Sequence, residues 1–219
     1  MVGIDDSEVG TMFARMQTVA ARPQDDSLVE RVTELVSGHP GFAGLILLED
    51  TAGGGAMVTL WQSREDAELA SERSRAHGPR PVTLLSDDIY EVADDITGAA
   101  TGAPGAALVG YFDGPLTPAR VVAATRAGRD RVGPVLKRLP TLLRTLILWD
   151  PDDRRFAVIH LATSPAGLDA VVTAVTSTEL LPGEDPALLT GPDRVHRHAV
   201  RTYLVPDRGP FPDAGRGPA

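Results

Sequence analysis

The spacing of apolar side chains changes period several times along this chain, and each change marks an element. From Thr11 to Val19 the residues alternate, which predicts a strand with Met12, Ala14 and Met16 on one face and Phe13, Arg15 and Gln17 on the other. After the polar stretch Arg22-Pro23-Gln24-Asp25-Asp26 the period lengthens to that of a helix. Ser27 and Glu30 form a capping box, Leu28, Val29, Val32, Leu35 and Val36 form the apolar stripe, and Gly38 stands where the helix should stop. Phe42 to Glu49 reads as a buried strand, Thr51-Ala52-Gly53-Gly54-Gly55 as a hairpin turn, and Ala56 to Trp61 as the returning strand. Ser63-Arg64-Glu65-Asp66 opens a second helix that runs to about His77 and stops at Gly78-Pro79. Asp88 to Val92 is the last strand. The order is β-α-β-β-α-β, the ferredoxin-like arrangement.

The same order then recurs. His39 to Asp50 aligns without a gap on Leu139 to Asp150, and Val58 to Ser63 on Val158 to Thr163, at an offset of 100. In the second copy Ala107 to Phe112 is a strand and Thr117-Pro118 starts a helix that Pro134 kinks or ends. Leu142 to Trp149 and Phe156 to Leu161 make the hairpin, Ser164-Pro165 starts the next helix, and His198 to Val205 closes the unit. Leu181 to Pro186 is an insertion without a counterpart. The chain thus divides into a leader (1–10), a first repeat (11–95), a linker rich in Gly, Ala and Thr (96–105), a second repeat (106–205) and a Pro/Gly-rich tail expected to be disordered (206–219).

Both faces of the hairpin strands are apolar: Val58 and Leu60 against Met57 and Trp61, Ala157 and Ile159 against Phe156 and Val158. Helices can cover one face of each sheet. The other must bury against something else, and the sheet of the sister repeat is the nearest candidate. The expected fold is therefore α+β: two ferredoxin-like βαββαβ repeats with antiparallel sheets packed face to face, a dimer-like barrel in one chain.

Composition narrows the function classes. The chain of 219 residues carries a net charge of -9 and no basic run, which disfavours a nucleic-acid partner. No apolar stretch reaches the length of a membrane span, and Met1 to Asp6 lacks the apolar core of a signal peptide. The absence of cysteine excludes disulfides, thiolate nucleophiles and cysteine-based metal sites, and fits a cytoplasmic location. With no asparagine, and with Lys137 the only lysine, the composition reads as that of a GC-rich bacterial genome. No catalytic triad, paired-carboxylate spacing or nucleotide fingerprint is present. His196 and His198, two apart, share a strand face, but two histidines without a third ligand do not make a zinc site. No metal and no cofactor are expected. The acidic pairs Asp5-Asp6, Asp25-Asp26 and Asp94-Asp95 read as solvated charge.

The segment Met57-Val58-Thr59-Leu60-Trp61-Gln62-Ser63-Arg64-Glu65-Asp66-Ala67 resembles the strand–Trp–x–Ser–x–x–x–Ala signature of the antibiotic-biosynthesis-monooxygenase (ABM) family, within the dimeric α/β-barrel superfamily, and His77 resembles the histidine that often follows. The resemblance covers residues 11–92. It extends over 106–205 through topology alone, because Leu161 stands opposite Trp61 and no histidine follows. It implies a cleft between sheet and helices that takes a small hydrophobic or aromatic molecule, and a possible cofactor-independent oxygenation of phenolic or polyketide-like compounds. Haem degraders of the family use an Asn–Trp–His set, and this chain has no asparagine.

Under this resemblance His77 and Arg15 are the catalytic candidates. Trp61, Phe13, Met57, Tyr111, Trp149 and His160 are the candidates for substrate binding. Each has a structural alternative: Trp61 as core packing, His77 as a helix-end charge, Arg15 at a sheet edge, His160 as a satisfied buried imidazole. The competing class is a non-catalytic small-molecule-binding or regulatory barrel, acting as a monomer or homodimer. The differences between repeats, Trp61 against Leu161 and Glu49 against Trp149, mark where function is expected.

Overall fold

A computed structural model describes residues 11–20, 26–50, 53–76 and 83–205. The first repeat contains β1 (Phe13–Val19), α1 (Asp26–Ser37), β2 (Phe42–Glu49), β3 (Gly55–Trp61), α2 (Arg64–Ala76) and β4 (Leu84–Thr97). The second contains β5 (Ala106–Phe112), α3 (Pro118–Arg126), α4 (Gly133–Leu136), β6 (Leu142–Asp150), β7 (Arg155–Ala162), α5 (Pro165–Ser177) and β8 (Arg194–Leu204). A π-helical stretch, Ala127–Val132, joins α3 to α4 without a break in the helical backbone, and Pro134 follows in the first turn of α4.

The eight strands form one closed antiparallel barrel in the order β1-β3-β2-β8-β5-β7-β6-β4. The two four-stranded sheets face each other across a shared core, and their edges are joined at two seams, β2 to β8 and β4 to β6. Closure removes the unpaired strand edges that two separate sheets would present.

The alternation read from the sequence decides which side chains go inside. Ala14, Met16, Ile46, Val58 and Leu60 from the first repeat meet Val109, Leu146, Leu148, Ala157 and Ile159 from the second. Phe13, Arg15, Trp61, Leu108 and His160 point outward, under the helices. Gly41, at φ 71°, makes the turn into β2, and a Cβ there would collide with the Asp66 carboxylate. Asp66 in turn accepts from the Ser63 hydroxyl, while Ser63 caps α2 by accepting from the Asp66 N–H. Ser164 caps α5 in the same way, through the Gly167 N–H.

Pairing within the hairpins corrects the sequence alignment of the repeats. Glu49 faces Gly55 across residues 50–54, whereas Trp149 faces Phe156 across residues 150–155, one residue more. Beyond the turn the offset is therefore 101, not 100. Trp61 corresponds to Ala162 and Thr59 to His160; Leu161, matched to Trp61 by the ungapped alignment, corresponds to Leu60 and faces the barrel interior. A one-residue slip exchanges the two faces of a strand, and the contrast between Trp61 and Leu161 arose from it.

Two strands are longer than their patterns suggest. β4 spans 14 residues and continues into the segment whose composition reads as linker: Ile96 and Thr97 pair with Thr145 and Arg144 of β6. β8 begins at Arg194 rather than at His198. The insertion includes a short 3-10 turn, Pro186–Leu188, and is tied down where the buried Glu184 carboxylate lies 2.9 Å from Arg131 Nε. Among the described residues, no helix is long and apolar enough to cross a membrane. The leader, the tail and His77 lie outside the described residues.

Candidate functional site: the mouth of the barrel

Among the described residues, side chains of the first repeat pack closely around Trp61 in its outer cleft. Trp61, 1 % exposed, packs with Ala67 and Ala70 of α2 and with Phe13, Val36, Phe42 and Ile89. The Phe42 ring meets it edge-on at 5.8 Å, and its indole N–H donates to Thr59 Oγ1 at 2.8 Å. Arg15 forms a two-pronged pair with Asp87, at 2.7 and 2.8 Å, and the Ser71 hydroxyl of α2 donates to the same carboxylate. Both groups are held by the protein itself.

The other sequence-derived candidates are dispersed. Met57 lies on the outer face of β3, opposite Gln17 and Leu47. Trp149 lies on the outer face of β6 against Phe156, with ring centres 4.4 Å apart. His160 is outside β7, where its Nδ1 is 2.8 Å from the Thr145 hydroxyl. Tyr111 is inside the barrel. Phe13, Arg15 and Trp61 thus come together, while Tyr111, Trp149 and His160 occupy three separate places.

Burial pushes the His160 pKa down to about 4, so the ring stays neutral in the folded chain at neutral pH. The unfolded chain protonates this histidine near its ordinary value of about 6.5. As pH falls from that value toward 4, the unfolded state gains a proton that the folded state does not, and stability drops by at most about 3 kcal/mol. Urea titrations from pH 7 to pH 4 check this. The slope over that window is expected to flatten in His160→Gln.

Among the described residues, a cavity opens at one end of the barrel. A cavity of about 360 Å³ is lined by the C-terminal ends of β1 and β5, the two hairpins, and the N-terminal halves of β4 and β8. That volume is toward the small end of the roughly 300–1,000 Å³ of small-molecule sites. Both repeats contribute, at equivalent positions. The registers β1–β4 and β5–β8 place Tyr90 where the second repeat has His198, and Asp88 where it has His196. Thr18 likewise stands where the second repeat has Tyr111.

Tyr90 and Tyr111 form the floor of the mouth; both belong to the barrel core as well as to the cavity lining. Burial raises the pKa of both phenols, with Asp88 adding to the effect at Tyr90 and Arg194 opposing it at Tyr111, so both remain hydrogen-bond donors. Arg155 lies over the Tyr90 ring at 5.6 Å, and Arg194 over the Tyr111 ring at 4.5 Å. His196 meets Tyr111 edge-on at 5.7 Å and stacks on His198 at 6.2 Å.

The charges around the cavity are matched within the protein. Arg155 bridges Asp88 and Asp150, at 3.0 and 2.9 Å. Arg194 forms a two-pronged pair with Asp113. Asp50 accepts from the Gly54 N–H in its own hairpin turn. His198 differs: it is 8 % exposed, and neither ring nitrogen has a hydrogen-bond partner. Burial, reinforced by His196 and opposed by Asp50, holds its pKa below the usual histidine value, so the ring is neutral at pH 7. A neutral imidazole offers one donor and one acceptor.

Sequence reasoning passed over Tyr90, Arg155 and His198 as site members. The spacing of His196 and His198 correctly puts both on one strand face, yet nothing local shows that this face turns inward to meet Tyr111. Among the described residues, no group of three metal-ligating side chains converges.

Fold and cavity together define a class, a single-chain α/β barrel with the sheets inside and the helices outside. Compared by sequence, the chain matches no family profile and no curated protein. Compared by structure, it is similar to an anthrone oxidase-like protein (15% identity, 90% of this chain and 92% of that one, TM-score 0.58). It is also similar to a mutant chlorite dismutase from Candidatus Nitrospira defluvii (11% identity, 90% and 92%, TM-score 0.61). A third likeness is to a ferredoxin-fold protein related to antibiotic biosynthesis monooxygenases from Listeria monocytogenes (11% identity, 90% and 95%, TM-score 0.52). At these identities the likeness establishes the fold: a closed antiparallel barrel with helices outside, both halves in one polypeptide.

Proposed function

We propose that this protein binds a small aromatic molecule in the mouth of its barrel. The observation that carries the reading is a cavity of about 360 Å³ at the end of the barrel, walled by a tyrosine from each repeat. The filled cleft around Trp61 supports the mouth over the sheet–helix interface. Because one chain completes the barrel, the site needs no second copy.

A catalytic version of this reading, cofactor-independent oxygenation of a phenolic substrate, draws on the likeness to the anthrone oxidase-like protein. It requires a base to take the substrate proton. The lowered pKa of His198 makes that imidazole a weak base, which favours binding over proton abstraction.

Thr18→Tyr tests the location. It installs in the first repeat the residue that the second repeat already carries at the equivalent position, so the fold has a precedent for it while the cavity fills. Titration calorimetry with 2-naphthol is expected to show binding to the wild type and none to Thr18→Tyr. Equal binding to both puts the ligand elsewhere.

A further inference from the structure

We infer that the molecule taken by the mouth is an organic cation, with an amidinium- or guanidinium-type head that pairs with Asp50. The inference rests on the mouth being the binding site, as proposed above, and names the charge which that site accepts.

Internal symmetry is the first argument. The hairpin registers make Asp50 the counterpart of Asp150, and Gly54 the counterpart of Arg155. The registers of β1 and β5 with their neighbours make Ser86 the counterpart of Arg194. Both arginines of the lining thus belong to the second repeat, and the first repeat has glycine and serine in their places. Where an arginine is present, its guanidinium lies over a tyrosine ring and against carboxylate. Arg155 lies over Tyr90 with Asp88 and Asp150, and Arg194 over Tyr111 with Asp113. In the corner where Gly54 replaces the arginine, Asp50 still stands on the cavity wall. It accepts the Gly54 N–H, and a carboxylate has lone pairs for further donors. One half of the mouth thus shows the kind of group that the other half has room for.

Charge is the second. Asp50, Asp88 and Asp113 line the cavity with Arg155 and Arg194, and Arg155 is shared with Asp150 and Asp153 as well. Each guanidinium is matched and carboxylate remains in excess, on a chain of net charge -9. A mouth of this kind draws a cation in and turns an anion away.

The third is the wall. Tyr90 and Tyr111 are 3 % and 9 % exposed, and neither hydroxyl has a hydrogen-bond partner among the described residues. Unlike the ring nitrogens of His198, these oxygens keep accessible surface. A phenol oxygen can accept as well as donate. An amidinium carries N–H donors on both nitrogens, so one edge can pair with a carboxylate while another N–H reaches a phenol.

Three naphthalenes of one shape and different charge test this: the 2-naphthamidinium cation, 2-naphthamide and 2-naphthoate, titrated at pH 7 into the wild type, Asp50→Asn and Thr18→Tyr. The wild type is expected to bind the amidinium at least about tenfold more tightly than the amide, and the carboxylate more weakly than both. Asp50→Asn keeps an oxygen for the Gly54 N–H and removes the charge, and most of the amidinium's margin over the amide should go with it. Thr18→Tyr leaves every charge in place and is expected to bind none of the three. If Asp50→Asn does not fold, the wild-type ranking decides, with Thr18→Tyr as the control for location. Equal affinities for amidinium and amide, or a preference for 2-naphthoate, would overturn the cation reading and leave the mouth as the site. An amidinium preference that survives in Thr18→Tyr would put charge recognition outside the mouth and overturn the inference. Failure of all three to bind while 2-naphthol still does would overturn the inference alone, and failure of 2-naphthol as well would overturn the site.

Discussion

Trp61→Ala is expected to destabilise the fold by about 3–5 kcal/mol, as loss of a buried aromatic does. For a chain of this size each kcal/mol moves the midpoint by roughly 2–4 °C, so melting should fall by roughly 6–20 °C. The indole is 1 % exposed and surrounded by Ala67, Ala70, Phe13 and Phe42, and its removal also strips Thr59 Oγ1 of the indole N–H. Little can collapse into the space, because the neighbours are small residues of α2 and rings fixed on strands. A tryptophan that lined an open pocket would cost far less to remove and would change ligand affinity instead. Calorimetric melting paired with a 2-naphthol titration separates the two cases. Lower stability with unchanged affinity, measured below the new midpoint, is the expected pattern, and an unchanged melting temperature would return Trp61 to the list of site residues.

The second large effect is expected at the seam between the repeats. Arg144 on β6 and Asp95 on β4 form a buried two-pronged pair, their side chains 6 % and 9 % exposed, and Arg144 also donates to the Tyr203 hydroxyl of β8. Asp95→Ala leaves a guanidinium buried without its carboxylate, at a cost of about 3–5 kcal/mol. Replacing both partners with apolar residues of similar volume, Asp95→Leu with Arg144→Met, should recover most of that loss, since the pair's own attraction is largely offset by its desolvation. Denaturant unfolding of the single and double variants checks this. A double variant as unstable as the single would show that the ion pair, and not merely the avoidance of a lone charge, holds the seam together.

The same pair illustrates how much of the fold the sequence discloses. Alternation in Thr11 to Val19 correctly assigns Met12, Ala14 and Met16 to the core, and the capping residues Ser63, Thr117 and Ser164 each stand at the start of a helix. These signals are local, and local physics suffices to read them. Asp94-Asp95 reads locally as solvated charge, yet Asp95 is buried because Arg144, 49 positions away, comes to meet it. Asp87 and Asp88 behave alike, the first bound to Arg15 and the second to Arg155. Polar positions satisfied by distant partners break the apolar pattern of a strand, and β4 consequently looks like five residues when it is 14.

The candidate site was hidden for the same reason. Tyr111 is conspicuous in sequence, but its neighbours Tyr90 and His198 lie in β4 and β8, the two strands whose patterns are most interrupted, and they reach Tyr111 only when the barrel closes. The slip at residues 150–155 worked in the opposite direction. It set Trp61 against the inward-facing Leu161 when its counterpart is the outward-facing Ala162, and packing explains the tryptophan.

The central claim is that the ligand site is the barrel mouth and not the sheet–helix cleft. The most direct measurement is a ¹H–¹⁵N correlation spectrum of the labelled wild-type protein titrated with 2-naphthol. The account predicts the largest shifts at the amides of Tyr90, Tyr111, His196 and His198, with Trp61, Ala67 and Ala70 unmoved. Shifts centred on Trp61 and α2, with the mouth silent, would contradict it.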